Sequence, residues 1–244
     1  MTYIIAGGSS GLGRALAERF AAGGYSLVLL STDERDTCAI AADLELRYAA
    51  VVRSVRFDLA ASSLSFEKID ATLEEMAPLE GLLLPAGAVS ADDEPGIDPD
   101  QFDALLCVNF ISICKLINHY LPRLQQISHS AIIGFGSIAS ARGRKRNAAY
   151  AAAKTALNSY FESLRHSMAD SSTKVQFYIN GYLDTNLAFA EQTPLPAASP
   201  ERLADLVFKH RQKDIGQRFF PRYWYFICGI LKLLPWVIFR RLSF

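Results

Sequence analysis

A tyrosine and a lysine four residues apart, Tyr150 and Lys154 in Tyr-Ala-Ala-Ala-Lys, share one face of any helix that carries them. The pair suits proton transfer. A free tyrosine ionises at a pH of about 10, too high for an efficient proton donor or acceptor at neutrality. A nearby ammonium, with the positive nicotinamide of an oxidised cofactor, favours the phenolate. The phenol can then protonate a carbonyl oxygen as hydride arrives, or take the proton back in reverse. Such pairs also occur by chance on helix surfaces, so their company matters. Ser137 follows the apolar run Ala131–Phe135, at the kind of strand end where parallel sheets hold ligands. Its hydroxyl can hold a substrate oxygen against Tyr150. Asn109 lies in a long helical stretch, where asparagine is an indifferent former, and taken alone it reads as a solvent-facing or core-satisfied amide.

Gly7-Gly8-Ser9-Ser10-Gly11-Leu12-Gly13 sits between the first apolar run and the first helical stretch. Its glycines permit positive φ and close approach to a pyrophosphate, and the helix start behind it offers free N–H groups and a positive dipole end. The spacing departs from the common Gly-x-Gly-x-x-Gly fingerprint, and the alternative is a plain tight connection. The second apolar run ends Leu29-Leu30-Ser31-Thr32, with no carboxylate before Asp33. A carboxylate there would bond the ribose of NAD and repel a 2′-phosphate, whereas Ser31 and Thr32, with Arg14 or Arg35 near, favour NADP(H) over NAD(H). Asp33 folding back toward a ribose is the competing possibility.

In order and spacing, Gly7–Gly13, Asp58, Ala86-Gly87, Asn109, Ser137, Tyr150, Lys154 and Asn180-Gly181 to Thr185 resemble the motifs of the short-chain dehydrogenase/reductase family, in its compact branch. The resemblance runs from the first strand to about Thr185. It implies that Ser137 positions the carbonyl, that Tyr150 is the acid/base, and that Lys154 lowers the tyrosine pKa and contacts the nicotinamide ribose. Asn109 would hold a water linking Lys154 to a proton relay. The implied cofactor contacts are Gly7, Ser9, Ser10, Gly11, Leu12, Gly13, Ser31, Thr32, Asp58, Leu59, Ala86, Gly87, Tyr150, Lys154, Gly181 and Thr185. Among these, Asp58 would meet the adenine and Thr185 the carboxamide, although Asp58 can also simply cap the following turn. Two positions depart from the family pattern. Leu84-Pro85-Ala86-Gly87 stands for the usual Asn-Asn-Ala-Gly, and Asn180-Gly181 for the usual Pro-Gly. The first removes an amide that normally braces the nucleotide pocket, and neither removes a catalytic group.

Arg142-Gly-Arg144-Lys145-Arg146 lies between Ser137 and Tyr150. It reads either as a solvated charged loop or, through Arg144 and Arg146, as a site for an anionic, nucleotide-linked or lipid-phosphate substrate. The tail from Arg222 to Phe244 is apolar and aromatic, broken by Lys232 and Pro235 and closed by Arg240-Arg241. Too short for a clear membrane span, it suits a helix at a membrane surface, or else a segment packed on a partner subunit or over the substrate pocket.

The elements that must position these residues follow from the patterning. Apolar runs at Tyr3–Ala6, Ser26–Leu30, Val51–Phe57, Gly81–Leu84, Ala131–Phe135 and Val175–Ile179 read as strands buried on both faces. Helical stretches at Gly13–Ala22, Asp36–Tyr48, Phe66–Met76, Gln101–Gln125 and Tyr150–Met168 alternate with them, which predicts an α/β fold: one Rossmann-type, doubly wound parallel sheet over residues 1–221, followed by the tail, 222–244. Asn186–Ser199 is a proline-bearing loop and a candidate substrate lid. Ser199-Pro200-Glu201 then starts a helix reaching about Lys209–Gln212.

With 25 basic and 25 acidic residues the net charge is zero, which argues against general nucleic-acid binding. Four scattered cysteines without metal-type spacing read as buried free thiols. The chain begins directly on a strand and a glycine-rich turn, which predicts a cytoplasmic protein, with peripheral contact at the inner membrane face if the tail meets lipid. The expected activity is NADP(H)-dependent reduction of a carbonyl, or oxidation of the matching alcohol, on a small-molecule substrate that is anionic or lipid- or sugar-linked in one version. The family resemblance implies a homodimer or homotetramer built on the two long helices. An NADP(H)-sensing regulator without turnover and a sugar-nucleotide epimerase are the rivals. Intact Ser137, Tyr150 and Lys154 oppose the first, and the glycine spacing opposes the second.

Overall fold

The computed structural model describes residues 1–185 and 195–242. Seven strands, β1 (Thr2–Ala6), β2 (Ser26–Ser31), β3 (Val52–Arg56), β4 (Leu79–Leu84), β5 (Ala131–Ser137), β6 (Lys174–Asn180) and β7 (Gly216–Phe220), form one sheet in the order β3-β2-β1-β4-β5-β6-β7. Every pairing is parallel. Alternate side chains of each inner strand enter opposite layers, which is why those strands are apolar throughout. Ile4 joins Leu82, Leu84 and Ile132 in one layer, under α3 (Glu67–Glu74), α5 (Ser112–Leu124) and α6 (Ala148–Ser167). Tyr3 and Ile5 join Leu29, Leu83 and Ile133 in the other, under α1 (Gly11–Ala22), α2 (Glu34–Tyr48) and α7 (Pro200–His210). The strand order reverses between β1 and β4, and the crevice at their carboxyl ends is where such a sheet takes ligands.

Four features differ from the sequence reading. β3 is an edge strand, so only Val52 and Val55 are buried, one in each layer, while Arg53 and Arg56 face water. β7, Gly-Gln-Arg-Phe-Phe, is the opposite edge and has no apolar run to betray it. The long helix divides into α4 (Pro99–Leu106), a wide π turn (Cys107–Ile111) and α5, continuous over Pro99–Leu124. Asp98 caps its start, accepting from the N–H groups of Asp100 and Gln101. This run is long and apolar enough to cross a membrane, yet Ile113, Leu116, Ile117, Tyr120 and Leu124 are fully buried against the sheet. The cysteines are free, but Cys38 is exposed and only Cys228 is fully buried.

The helix start at Ser199 is as expected, with Ser199 Oγ accepting from Arg202 N at 3.2 Å. Residues 186–194, most of the lid candidate, lie outside the described residues. After β7 the tail folds into α8 (Trp224–Leu233) and α9 (Trp236–Phe239).

Candidate active site

The glycine-rich turn joins β1 to α1 at the switch point. Gly7 and Gly11 hold positive φ (90° and 49°), and a Cβ at Gly13 would stand 1.8 Å from the Gly7 carbonyl oxygen, so only glycine closes this turn. The first turn of α1 has no acidic residue, and the Ser10 side chain makes no capping bond. Its leading N–H groups and positive dipole end are therefore available to an anion. Thr185, beyond β6, closes on the turn from the side, with its Cγ2 3.0 Å from where a Gly11 Cβ would be. Leu12 and Ala86 are buried beneath, and the Ala86 backbone lies against Gly7. This cradle fits a dinucleotide pyrophosphate.

At the end of β2, Ser31 is largely buried and donates to Ser9 Oγ at 3.0 Å while accepting from Asp33 N at 3.1 Å. Thr32, Arg14 and Arg35 are exposed there. Asp33 accepts from Asp36 N and caps α2, so its carboxylate is turned to the helix. At the end of β3, exposed Asp58 accepts from Ala60 N at 2.8 Å, which makes it a turn cap in this structure. Leu59 is buried, and its carbonyl accepts from the Ser112 hydroxyl at 2.6 Å.

Deeper in the crevice, α6 carries Tyr150 and Lys154 on one face, as the four-residue spacing requires. Lys154 is only 3% exposed; its Nζ donates to the carbonyls of Ala86 (3.2 Å) and Phe135 (3.4 Å) and lies 5.8 Å from the Tyr150 ring centre. Burial pushes its ammonium down to about 8. Ser137, two residues past Phe135, is half-buried at the end of β5, its Oγ accepting from Ala139 N at 3.1 Å. The hydroxyl proton remains available for a ligand.

Asn109 is fully buried in the π turn. Its amide donates to the carbonyls of Ala88 (2.8 Å) and Leu105 (2.9 Å), and its Oδ1 accepts from Ala88 N at 3.2 Å. It ties the strand after β4 to the long helix and flanks Gly87, whose open side also faces Lys154 Nζ. Pro85 in place of an amide residue therefore leaves the Ala86–Ala88 segment braced by Asn109 and Lys154.

Sequence reasoning missed Asp93. This buried carboxylate, 1% exposed, accepts from the backbone N–H of Ala149 (Oδ1, 2.7 Å) and Tyr150 (Oδ2, 2.9 Å), and its own carbonyl accepts from Ala148 N. It caps α6 from a loop some fifty residues upstream. No sequence signal pointed to it: asparagine is a favoured cap type, and only the structure shows Asn147, at the head of α6, in the left-handed region without a side-chain cap. A helix start without a local cap calls for a distant acceptor.

The basic segment divides. Arg142 donates to the carbonyls of Leu231 (2.8 Å) and Leu234 (2.5 Å) and lies over the Phe239 ring at 3.9 Å, so it holds the tail. Lys145 and Arg146 lean on Glu94 at 3.5 and 3.9 Å, with both side chains mostly exposed. Arg144 is half-buried. Gly181 is where the tail roots itself: a Cβ there would stand 1.9 Å from Trp224 Nε1, and Tyr182 meets the same indole edge-on at 5.5 Å.

A family model described as short chain dehydrogenase matches residues 1–194. An uncharacterised oxidoreductase of Staphylococcus saprophyticus is 27% identical over 76% of this chain and 79% of its own length. The 3-oxoacyl-[acyl-carrier-protein] reductase of Escherichia coli is also 27% identical, over 77% and 75%. Among solved structures, a short-chain dehydrogenase from Sphingobium yanoikuyae in complex with NADPH superposes with a TM-score of 0.82 at 22% identity, covering 99% of this chain and 96% of that one. A 7β-hydroxysteroid dehydrogenase superposes at 0.84 with 19% identity, over 95% and 92%. The fold, the glycine cradle and the extent of these matches together make this chain a member of the short-chain dehydrogenase family and an oxidoreductase.

Proposed function

We propose that the protein moves hydride between NADP(H) and a carbonyl or secondary-alcohol carbon, with Tyr150 as acid/base. The observation that carries this reading is the buried Lys154 ammonium, fixed by two carbonyls beside the Tyr150 ring. A fixed positive charge in a water-poor site favours the phenolate far more than one in solvent. In the reducing direction the Ser137 hydroxyl donates to the substrate carbonyl oxygen. Tyr150 then gives that oxygen its proton as the carbon gains hydride, and Lys154 holds the resulting phenolate. When bound, the nicotinamide supplies or accepts the hydride. The residues that would hold it are the Gly7–Gly13 turn with Ser9, Ser10 and Leu12, the wall of Asp58, Leu59, Ala86 and Gly87, and Gly181 and Thr185 on the far side.

The preference for NADP(H) rests on the end of β2, where Asp33 is engaged as a helix cap and the exposed Thr32, Arg14 and Arg35 would be free to meet a 2′-phosphate. Relatives in fold bind that cofactor: the Sphingobium enzyme holds NADPH, and a Burkholderia cenocepacia short-chain dehydrogenase holds NADP. Arg144 and Arg146 are our candidates for an anionic part of the substrate. Half-buried apolar residues along the long helices, Val108, Cys114, Leu121 and Tyr160, support a homodimer or homotetramer through them. We also read the protein as cytoplasmic, meeting the inner membrane face through its tail.

Titration with NADPH and NADH, on the wild type and on Tyr150→Phe, tests the chemistry. NADPH is expected to bind more tightly, equally in both proteins. Turnover of ketones is expected to fall at least about 100-fold in the variant. Equal turnover in Tyr150→Phe would remove Tyr150 from the reaction, and tighter NADH binding would overturn the cofactor assignment.

A further inference from the structure

The outward face of the tail has no role in the chemistry above. On α8, Trp224, Ile227, Cys228 and Leu231 turn toward the protein, while Tyr225, Phe226, Ile230 and Leu233 form one outward stripe that is 63, 70, 63 and 85% exposed. Trp236, Val237 and Ile238 of α9 extend it, each more than half exposed. A contiguous apolar face of this kind marks an interaction surface. It is not a frayed end. Trp224 is wedged on Gly181, Arg142 closes the last carbonyls of α8, and Phe239 is buried under the Arg142 guanidinium. The stripe is held in place and turned outward.

Charge selects the occupant. No aspartate or glutamate follows Asp214 in the sequence, while Arg222, Lys232, Arg240 and Arg241 lie in or beside the two tail helices, all of them exposed. A second copy pairing symmetrically through this face would set these cations against their own counterparts. A neutral apolar partner would leave them uncompensated. An anionic lipid surface satisfies both components, because apolar side chains enter the acyl boundary, Trp and Tyr rings sit at headgroup level and the cations meet phosphate. The ten residues of α8 reach about 15 Å, half the roughly 30 Å of a bilayer core, so the helix must lie along the surface.

We propose that α8 and α9 dock the protein on an anionic bilayer. The docking face is one helix away from Gly181–Tyr182 and from the segment after Ser137, so the mouth of the active site stands at the lipid surface. The substrate of the hydride-transfer reading is then an amphiphile collected from the membrane; this second step rests on that reading, the docking does not.

The test uses the full chain with vesicles of phosphatidylcholine alone or with 30% phosphatidylglycerol, in flotation and in tryptophan quenching by brominated lipid. Wild type is expected to float with the anionic vesicles and to bind the neutral ones at least tenfold more weakly. Arg240→Glu/Arg241→Glu is expected to lose about fivefold for each cation removed. Phe226→Glu/Trp236→Glu is expected to stay in the soluble fraction, while its melting temperature and NADPH affinity match wild type, since both positions are exposed and outside the cofactor cradle. Brominated lipid is expected to quench wild-type fluorescence but not that of Trp236→Phe, whose remaining Trp224 is buried. Wild type that ignores anionic vesicles, or a Phe226→Glu/Trp236→Glu variant that floats equally well, overturns the proposal. A dimer dissociated by that double variant, without vesicle binding, assigns the face to a second copy instead. NADPH binding and turnover of a water-soluble ketone are followed separately, so failure of docking and failure of the hydride-transfer reading give different results.

Discussion

Replacing Asp93 by alanine is expected to weaken both the fold and the chemistry, through the helix that carries Tyr150. Two charge-assisted hydrogen bonds disappear, those from Ala149 N and Tyr150 N. Loss of an ordinary N-cap costs about 1 kcal/mol and up to about 2. Here the cap is 1% exposed, so the freed N–H groups have little water to turn to, and each unsatisfied donor adds about 1–3 kcal/mol. The cap loss and the two unsatisfied donors are the same two bonds, so the donors set the total at about 2–6 kcal/mol, with the upper end reached only if no water enters the vacated space. For a chain of this size that corresponds to a fall in Tm of roughly 4–24 °C. The first turn of α6 would loosen, and a displacement of about 1 Å at the phenol is enough to lose about 100-fold in rate. Lys154, one turn further along and anchored on Ala86 and Phe135, should move less, so NADPH affinity is expected to hold within a small factor. Asp93→Asn keeps one acceptor and should fall between wild type and alanine in both Tm and kcat. Thermal unfolding with steady-state kinetics makes the comparison. An alanine variant that melts within about 1 °C of wild type and keeps its kcat would refute the idea that Asp93 holds this helix start.

The depressed Lys154 amine gives a signed pH dependence. The unfolded chain keeps this proton to about 10.5 and the folded chain only to about 8, so stability of the cofactor-free protein should rise between those values, an effect absent in Lys154→Met and measurable by urea titration at each pH. Over the same window NADPH affinity should decline as the ammonium is lost, and an affinity flat across pH 7–10 would exclude Lys154 as a charged contact. Gly13→Ala should abolish NADPH binding in calorimetry, because its Cβ would collide with the Gly7 carbonyl; retention of the wild-type Kd would contradict the cradle geometry. Arg144→Ala/Arg146→Ala should raise KM without a matching loss of kcat on an anionic substrate, and an unchanged KM would remove the anion-site reading.

The inner strands were legible because a parallel strand covered on both faces is apolar at every position, as Leu27-Val28-Leu29-Leu30 and Ile132-Ile133 are. Edge strands carry no such mark. β3 separates its two buried valines by Arg53 and Ser54, and β7 is polar and exposed at Gln217 and Arg218, because an edge strand is less covered on both faces than an inner one. The local arrangement was legible for a similar reason: a four-residue spacing on a helix and a glycine run before one are written within a single element. Asp93 was not, since its bond to α6 joins residues more than fifty positions apart and nothing in Asp92-Asp93-Glu94 separates a cap from a solvated turn. The basic run was legible as charge but not in direction. Only the fold turns Arg142 to the tail and Lys145 and Arg146 to Glu94.

Those directions bear on how the substrate side of the site is built. The segment from Ser137 to Tyr150 is held from outside at both ends. Asp93 and Glu94, in the loop beyond β4, fix its far end at α6 and the basic run before it, while Arg142 fixes its near end to the last turn of α8. The tail in turn bears on the loop beyond β6 through Trp224 and Gly181. Three polypeptide stretches distant in sequence thus form one wall around Ser137 and Tyr150, and the tail is the member of that wall that also faces outward. Because Arg142 donates to two carbonyls of the tail and lies over Phe239, a tilt of α8 against its surroundings must either carry the Ser137–Tyr150 segment with it or break those contacts. Whatever covers the outer face of α8 is therefore mechanically connected to the segment that carries Ser137 and Tyr150.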